Sequence, residues 1–288
     1  MKKTFSSKKS AFSLIELSIV LIIIGLLIAG VTGGASLIRS SELRSAMGEA
    51  RGYAVAVNGF YSQYNALPGD YYSGVPGSGA YAGVSGSIYA GTTNGFDNKI
   101  EYYATDTSAN SSESVVAWDQ LIKTGSIDST LTLTQAASTA AQVYGTNMPA
   151  SKIKFAGWHF DYRNMVGAGT NYALTTVAAG ATAEGAANAP ANQNVVVLTG
   201  TTIAASATKT LVNGATNSSL GAVTGPDALS IDTKIDDGFA NAGKVRGLNP
   251  SNFTAGCYTA STNANAAYIL TSATSKVCAL TFQVDTNS

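Results

Sequence analysis

The sequence predicts an α+β protein: one long N-terminal helix, first hydrophobic and then amphipathic, serving a domain built largely from strands. Three observations carry this reading. No charged residue occurs from Leu17 to Ile38, a run long enough to cross a bilayer as a helix, which takes about 20 apolar residues. The run then passes directly into a pattern in which Leu43, Met47, Ala50, Ala54, Val57, Tyr61 and Tyr64 recur at steps of three and four, the period of a helix with one buried face. Further along, short β-branched and aromatic runs alternate with Gly, Asn and Ser clusters, which reads as strands and turns.

The first element carries a sorting signal. Lys2, Lys3, Lys8 and Lys9 precede the apolar run, whereas Arg39 and Arg44 follow with Glu42 between them. The lysine excess keeps the N-terminus cytoplasmic and exports the rest. An ordinary secretory signal, cut at small residues near Gly33 to Ser36, is the plain alternative. It accounts for neither Glu16, just ahead of the run, nor the helical pattern behind it. An acidic side chain costs about 2.5–3.5 kcal/mol at a bilayer centre and less near its edge, so it needs a partner. The helix is expected to stop near Ala66, because the residue before Pro68 resists helical geometry. Gly33 and Gly34 mark either close packing, the end of a span, or a point where the helix can stretch.

The residues Ala11 to Leu17, AFSLIEL, resemble the leader junction of type IV pilins and type II secretion pseudopilins. The resemblance implies a cut by prepilin peptidase between Ala11 and Phe12, on the cytoplasmic side, and methylation of the new N-terminus at Phe12. Glu16 then matches the family's assembly acid, pairing with the terminal amine of a neighbouring subunit so that only the correct axial offset neutralises both charges. Where the family usually has glycine before the cut, this chain has Ala11. The implied organisation is a leader at 1–11, a transmembrane and assembly helix at 12–38, its amphipathic continuation at 39–66, and an exported domain at 67–288. The implied fold is pilin-like: the long helix packed on an antiparallel β-sheet. The implied partners are the peptidase, other pilin or pseudopilin subunits and the inner-membrane assembly machinery. The implied location is the bacterial inner membrane, single-pass with the C-terminal domain periplasmic, and then the fibre or cell surface.

Composition agrees with export. Charged residues make up 12% of the chain, about half the usual share. The 17 basic residues balance the 17 acidic ones. Losing the leader removes four lysines and no acid, which leaves the mature chain mildly acidic and argues against nucleic acid as a partner. Cys257 and Cys278, the two cysteines, are candidates for one disulfide in an oxidising compartment; two buried thiols are the alternative.

In the exported part, the Gly-, Ser- and Tyr-rich stretch from Tyr64 to Asn98 reads as an irregular surface loop ordered by its tyrosines or as a loop for binding or subunit contact. SSESVVAWDQLIKTG reads as a helix capped by Ser111 or Ser112 and ended by Gly125, with Val115, Trp118, Leu121 and Ile122 on one face. IKFAGWHFDYR reads as a strand with a bulge at Ala156-Gly157 that brings Ile153, Phe155, Trp158, Phe160 and Tyr162 to one face and leaves His159 partly exposed on the other. NVVVLTG, AAYIL and VCALTFQV read as further strands, and 170–193 as loop or weak strand. A short helix is expected to start at Pro226-Asp227 and end by Gly238.

Asp232, Asp236 and Asp237 cluster at the end of that helix. Three carboxylates are oxygen ligands of the kind calcium takes, and some pseudopilins bind calcium near their C-terminal end. The spacing is not that of an EF-hand, since Lys234 stands where a ligand is expected. Pairing with Lys234 and Lys244 as a solvated face is the other reading. No cofactor beyond calcium is suggested. The sequence lacks GxSxG, HExxH and zinc-ligand spacings, and with one histidine it cannot build a multi-histidine metal site. A structural subunit is therefore expected rather than an enzyme, with a pilus-anchored adhesin or binding module as the alternative.

Overall fold

The computed structural model describes residues 13–69, 98, 100, 113–128, 131, 144–145, 148–163, 193–200, 202–203, 209–210, 221–248, 256–258, 266–271 and 275–284. The chain divides into two compact units, residues 1–42 and 43–288; the second is called the head below. Expectations at residues 70–97, 111–112 and 164–192 fall outside the described residues, as do Ala11 and Phe12.

Helix α1 runs without a break from Leu14–Tyr64. Its last residue, Tyr64, is two short of the expected stop and four ahead of Pro68, and Asn65 after it takes a left-handed φ of 53°. Gly33 and Gly34 are helical. Within the head, Leu43, Ala46, Met47, Ala50, Val57 and Phe60 are buried, the three- and four-residue spacing that the pattern predicts.

Helix α2, Glu113–Lys123, buries Trp118 and Leu121 as expected, and Val116 and Ala117 beside them. Gly125 follows with φ 72°, a left-handed position that glycine takes without strain.

The sheet follows: β1 Ala156–Arg163, β2 Gln193–Gly200, a small separate hairpin of β3 Thr202–Ile203 and β4 Lys209–Thr210, β5 Val245–Leu248 and β6 Ala279–Gln283. Between β4 and β5 lies helix α3, Gly225–Ile235. The four-stranded sheet has the order β1-β2-β6-β5, and every neighbouring pair is antiparallel. The α+β expectation is borne out.

Register decides which residues meet α1. One row runs Phe160, Val196, Phe282 and Val245 across the four strands; another runs Trp158, Leu198 and Leu280 to Gly247. These side chains and the buried face of α1 form one core. Trp118 stacks on Phe160 with centroids 4.1 Å apart, and Tyr53 of α1 meets Trp118 and Trp158 edge-on at 4.8 and 5.6 Å, spacings at which aromatic pairs attract.

Three expectations are corrected. The strand starts at Ala156, with no bulge at Ala156-Gly157, because Ile153 to Ala156 form a turn. The Ala156 N–H donates to the Ile153 carbonyl at 3.2 Å and the Ser151 N–H to the Ala156 carbonyl at 2.9 Å. Phe155 is therefore turned outward. His159 is buried rather than partly exposed, and so are Asp161, Thr281 and Arg246 on the same sheet face; alternation tells which residues share a face but not whether that face is covered. Finally, AAYIL forms no strand: only Tyr268 makes a single bridge, to Tyr258.

Candidate functional site

From Leu14 onward, the N-terminal unit is a helix with an open apolar surface. Its large side chains are bare: Leu14 is 87% exposed, Val31 70% and Leu37 73%. The Ser18 hydroxyl donates to the Ile15 carbonyl at 2.9 Å and that of Thr32 to the Ile28 carbonyl at 3.0 Å. The helix thus satisfies these hydroxyls itself, as a lipid setting requires. A surface of this extent needs lipid or other helices to cover it, and the helix is long and apolar enough to cross a membrane. Glu16 lies exposed in the first turn, where its Oε2 accepts the Ser13 N–H at 3.0 Å. A carboxylate there also faces the positive end of the helix dipole.

In the head, α1 keeps a second, outward face. Gly48, Gly52 and Gly59 open onto empty space, and Val55 between them is 72% exposed. Steps of four, three and four put all four on one side. Without side chains on three of them, another helix can approach closely.

Helix and sheet are joined by Glu49, which sequence reading missed. Its Oε2 accepts the Trp158 indole N–H at 3.0 Å and the Ser151 hydroxyl at 3.0 Å, and both its oxygens accept the Lys152 N–H at 3.3 Å. The available signal was an acid on the core-facing edge of α1, between Ala46 and Tyr53. Burial first, and then the neighbouring Glu49, push the Tyr53 phenol upward.

The third region lies at the end of α3. The helix is capped by Thr224, whose side chain accepts the Asp227 N–H at 3.4 Å, with Pro226 in its first turn. It ends at Asp236, whose N–H donates to the Asp232 carbonyl at 2.7 Å. One carboxylate oxygen from each of Asp232, Asp236 and Asp237 lies within 4.8 Å of the others. Asp232 is buried and accepts the Tyr268 hydroxyl at 2.8 Å and the Gly238 N–H at 3.2 Å. Asp236 Oδ2 accepts the Lys244 N–H, and the Val245 N–H at 3.3 Å. Asp237 accepts the Phe239 N–H at 2.8 Å. Gly243, at φ 68°, has no room for a Cβ because the Asp236 carboxylate occupies that space. Burial pushes the Asp232 carboxyl up to about 7; Asp237 and Asp236 add to the rise, while the bonds from Tyr268 and Gly238 oppose it. A bound cation would relieve such crowding of like charges. The remaining oxygen of Asp236 and of Asp237 suits the oxygen-ligand preference of calcium.

Tyr268, the partner of Asp232, belongs to a loop closed by the bonded pair Cys257 and Cys278. Gly247 leaves the space into which Tyr268 and the Cys257 sulfur pack. The Asn241 side chain accepts the Ala266 N–H at 2.7 Å, fastening the same loop.

No curated protein and no solved structure matches the chain. Residues 6–32 match the family model of the prokaryotic N-terminal methylation motif. That segment holds Ala11, Phe12 and Glu16, and it leads into the open apolar helix. The chain thus carries, over residues 6–32, the processing and methylation signature of type IV pilins and pseudopilins.

Proposed function

We propose that this protein is a structural subunit, pilin or pseudopilin, of a type IV pilus-like or type II secretion fibre. Prepilin peptidase cuts it between Ala11 and Phe12 and methylates Phe12. It then waits in the inner membrane with its N-terminus cytoplasmic and its head periplasmic, until the assembly machinery draws it into a fibre. The observation that carries this reading is the apolar surface of α1, exposed behind a methylation motif and marked by a single acid, Glu16. In a packed bundle of such helices, Glu16 of one subunit pairs with the methylated amine of the next, and mispaired offsets leave a charge in an apolar setting. The open face at Gly48, Gly52, Val55 and Gly59 lets neighbouring helices stay close where the head begins.

The test is Glu16→Gln, which removes the charge and keeps the volume. Fibres should be lost while membrane levels and the mature N-terminus persist. Normal fibres would refute the pairing role. Deleting residues 73–97 separates this reading from that of a pilus-anchored adhesin: loss of adhesion with fibres intact favours the adhesin, and loss of fibres favours the structural role.

Calcium at Asp232, Asp236 and Asp237 is proposed alongside, with Asp236 and Asp237 offering free oxygens and Asp232 the buried charge. It would brace the end of α3 against the β5 segment. Calcium should raise the unfolding temperature of the full chain but not that of Asp236→Asn/Asp237→Asn. An equal rise in both, or none in either, would remove calcium from the account.

A further inference from the structure

The head has a defined orientation along α1. The Trp158 indole is bonded to Glu49. Farther up, the Asn58 side chain donates to the Val284 carbonyl at 2.8 Å, and the Val284 N–H to the Asn194 carbonyl at 3.0 Å. Asn194 pairs with Tyr162. From Trp158 to Tyr162, β1 therefore climbs α1 from Glu49 to Asn58, about 13 Å by either path. The Lys152–Phe155 turn, just ahead of Ala156, lies at the Glu49 end of this climb, while Pro149 and Ala150 run back beside Trp158 and Gly157. Lys276, just ahead of Cys278 and β6, lies at this same end; its ammonium donates to the Lys154 carbonyl at 2.5 Å.

Among the described residues, this lower end carries four exposed cations and an exposed aromatic ring. Lys152, Lys154, Lys276 and Arg44 are exposed. Phe155 is 54% exposed at a left-handed φ of 62°, a conformation that bulky residues avoid unless their surroundings enforce it. Here they do. Glu49 holds Ser151 and Lys152, the Ser151 hydroxyl accepts the Ile153 N–H at 3.2 Å, and Ile153 is buried. The ring faces outward because the turn is pinned. Of the described acids at this end, Glu49 is engaged by the turn itself, Asp227 accepts the Thr224 hydroxyl at 2.8 Å, and Glu42 stands half-buried two residues before Arg44. Asp232, Asp236 and Asp237, with Lys234 and Lys244 among them, occupy the opposite end, where Asp236 meets the start of β5.

Only residues 39–42 separate the apolar run from Leu43. Even fully extended, four residues span no more than about 14 Å. The chain therefore holds Leu43, the first residue of the head, within that reach of the end of the apolar run.

We propose that the Lys152–Phe155 turn, with Lys276, docks the head on anionic phospholipid headgroups while the chain is anchored in the bilayer. The inference rests on the membrane-anchored reading above. Lysines near such a surface strengthen attachment by roughly fivefold each, and an apolar ring settles at the boundary of headgroup and acyl chain. Docking holds the head at the surface until extraction breaks several weak contacts together.

The experiment uses the full chain carrying Phe155→Trp, reconstituted in phosphatidylcholine vesicles with or without phosphatidylglycerol. Lipids with a nitroxide on the headgroup quench the indole, and the unsubstituted chain, with its buried tryptophans, supplies the background. Quenching should be at least about twofold stronger with phosphatidylglycerol and should fade at high salt, as surface attraction does. The further change Lys152→Gln/Lys154→Gln/Lys276→Gln should bring it to the neutral-vesicle level, with near-UV circular dichroism confirming an unaltered head. Equal quenching on both vesicles, or insensitivity to salt, would overturn the proposal without recourse to the lysine variant. So would residue 155 crosslinking to another subunit in fibres without any dependence on anionic lipid. Vesicle flotation separates the two levels of the argument: a chain that fails to float refutes the anchor, and one that floats without quenching refutes only the docking.

Discussion

Replacing Glu49 with alanine should loosen the head more than any surface charge change, and the size of the effect follows from its contacts. The carboxylate accepts the Trp158 indole, the Ser151 hydroxyl and the Lys152 N–H, and Trp158 is fully buried. Hydrogen bonds to a charged group are worth about 1.5–3 kcal/mol each, and an orphaned buried donor costs about 1–3 kcal/mol. Ser151 and Lys152 lie near enough to solvent to recover part of their loss, so the indole dominates. The expected destabilisation is about 2–4 kcal/mol, or roughly 5–15 °C in a domain of this size. Glu49→Gln keeps an acceptor and the shape, and should cost about 1 kcal/mol. Thermal unfolding of the full chain in detergent, followed by near-UV circular dichroism, reads both. A double-mutant cycle with Ser151→Ala should show coupling of about 0.5–1 kcal/mol. A loss below about 0.5 kcal/mol for Glu49→Ala, or zero coupling, would refute the idea that this carboxylate pins the turn to the helix.

Three further outcomes follow from other parts of the fold. Burial pulls the His159 imidazole down to about 3 while the unfolded chain keeps the ordinary value near 6.5; the unfolded state binds the extra proton between those values, so the contribution of His159 is intact above pH 6.5 and is lost as pH falls. Relative to His159→Leu, the native chain should lose about 2 kcal/mol between pH 7 and pH 5, measured by denaturant unfolding; a pH-independent difference would contradict burial of the ring. Replacing both Cys257 and Cys278 with alanine opens a loop whose ends are 21 positions apart and should cost about 3 kcal/mol, with faster hydrogen exchange around Tyr268; unchanged stability would show that the loop is held by its hydrogen bonds alone. Gly52→Leu fills open space, so it should leave head stability within about 0.5 kcal/mol while reducing fibre yield, and normal fibre yield would exclude this face from subunit packing.

The legible parts of the sequence were those governed by local period. Leu43, Met47, Ala50 and Val57 lie on one face because a helix repeats every 3.6 residues, and Trp158 and Phe160 share a face because a strand alternates. Asp232 and Asp236 come together through their four-residue spacing in and just beyond α3. What escaped depends on residues far apart in the chain. Glu49 binds partners more than 100 positions away, and Asp232 finds Tyr268 across 36. Ile153 and Phe155 fit an alternating strand pattern, yet the bonds of Ser151 to Glu49 and Ala156 make a turn that throws Phe155 outward. AAYIL has the composition of a strand, but among the described residues its ladder stops at the Tyr268–Tyr258 bridge and the backbone bond from Ile269 to Cys257. Glu16 was legible as an anomaly from hydropathy alone; its proposed meaning came from its position after Ala11 and Phe12.

The central claim, that this chain follows the pilin route, is tested most directly by intact and N-terminal peptide mass spectrometry on native protein from membranes or sheared fibres. The account predicts a mature chain that begins at methylated Phe12. A chain beginning near Ser36, or one retaining Met1, would contradict it: the first would indicate ordinary secretion and the second a permanent membrane anchor.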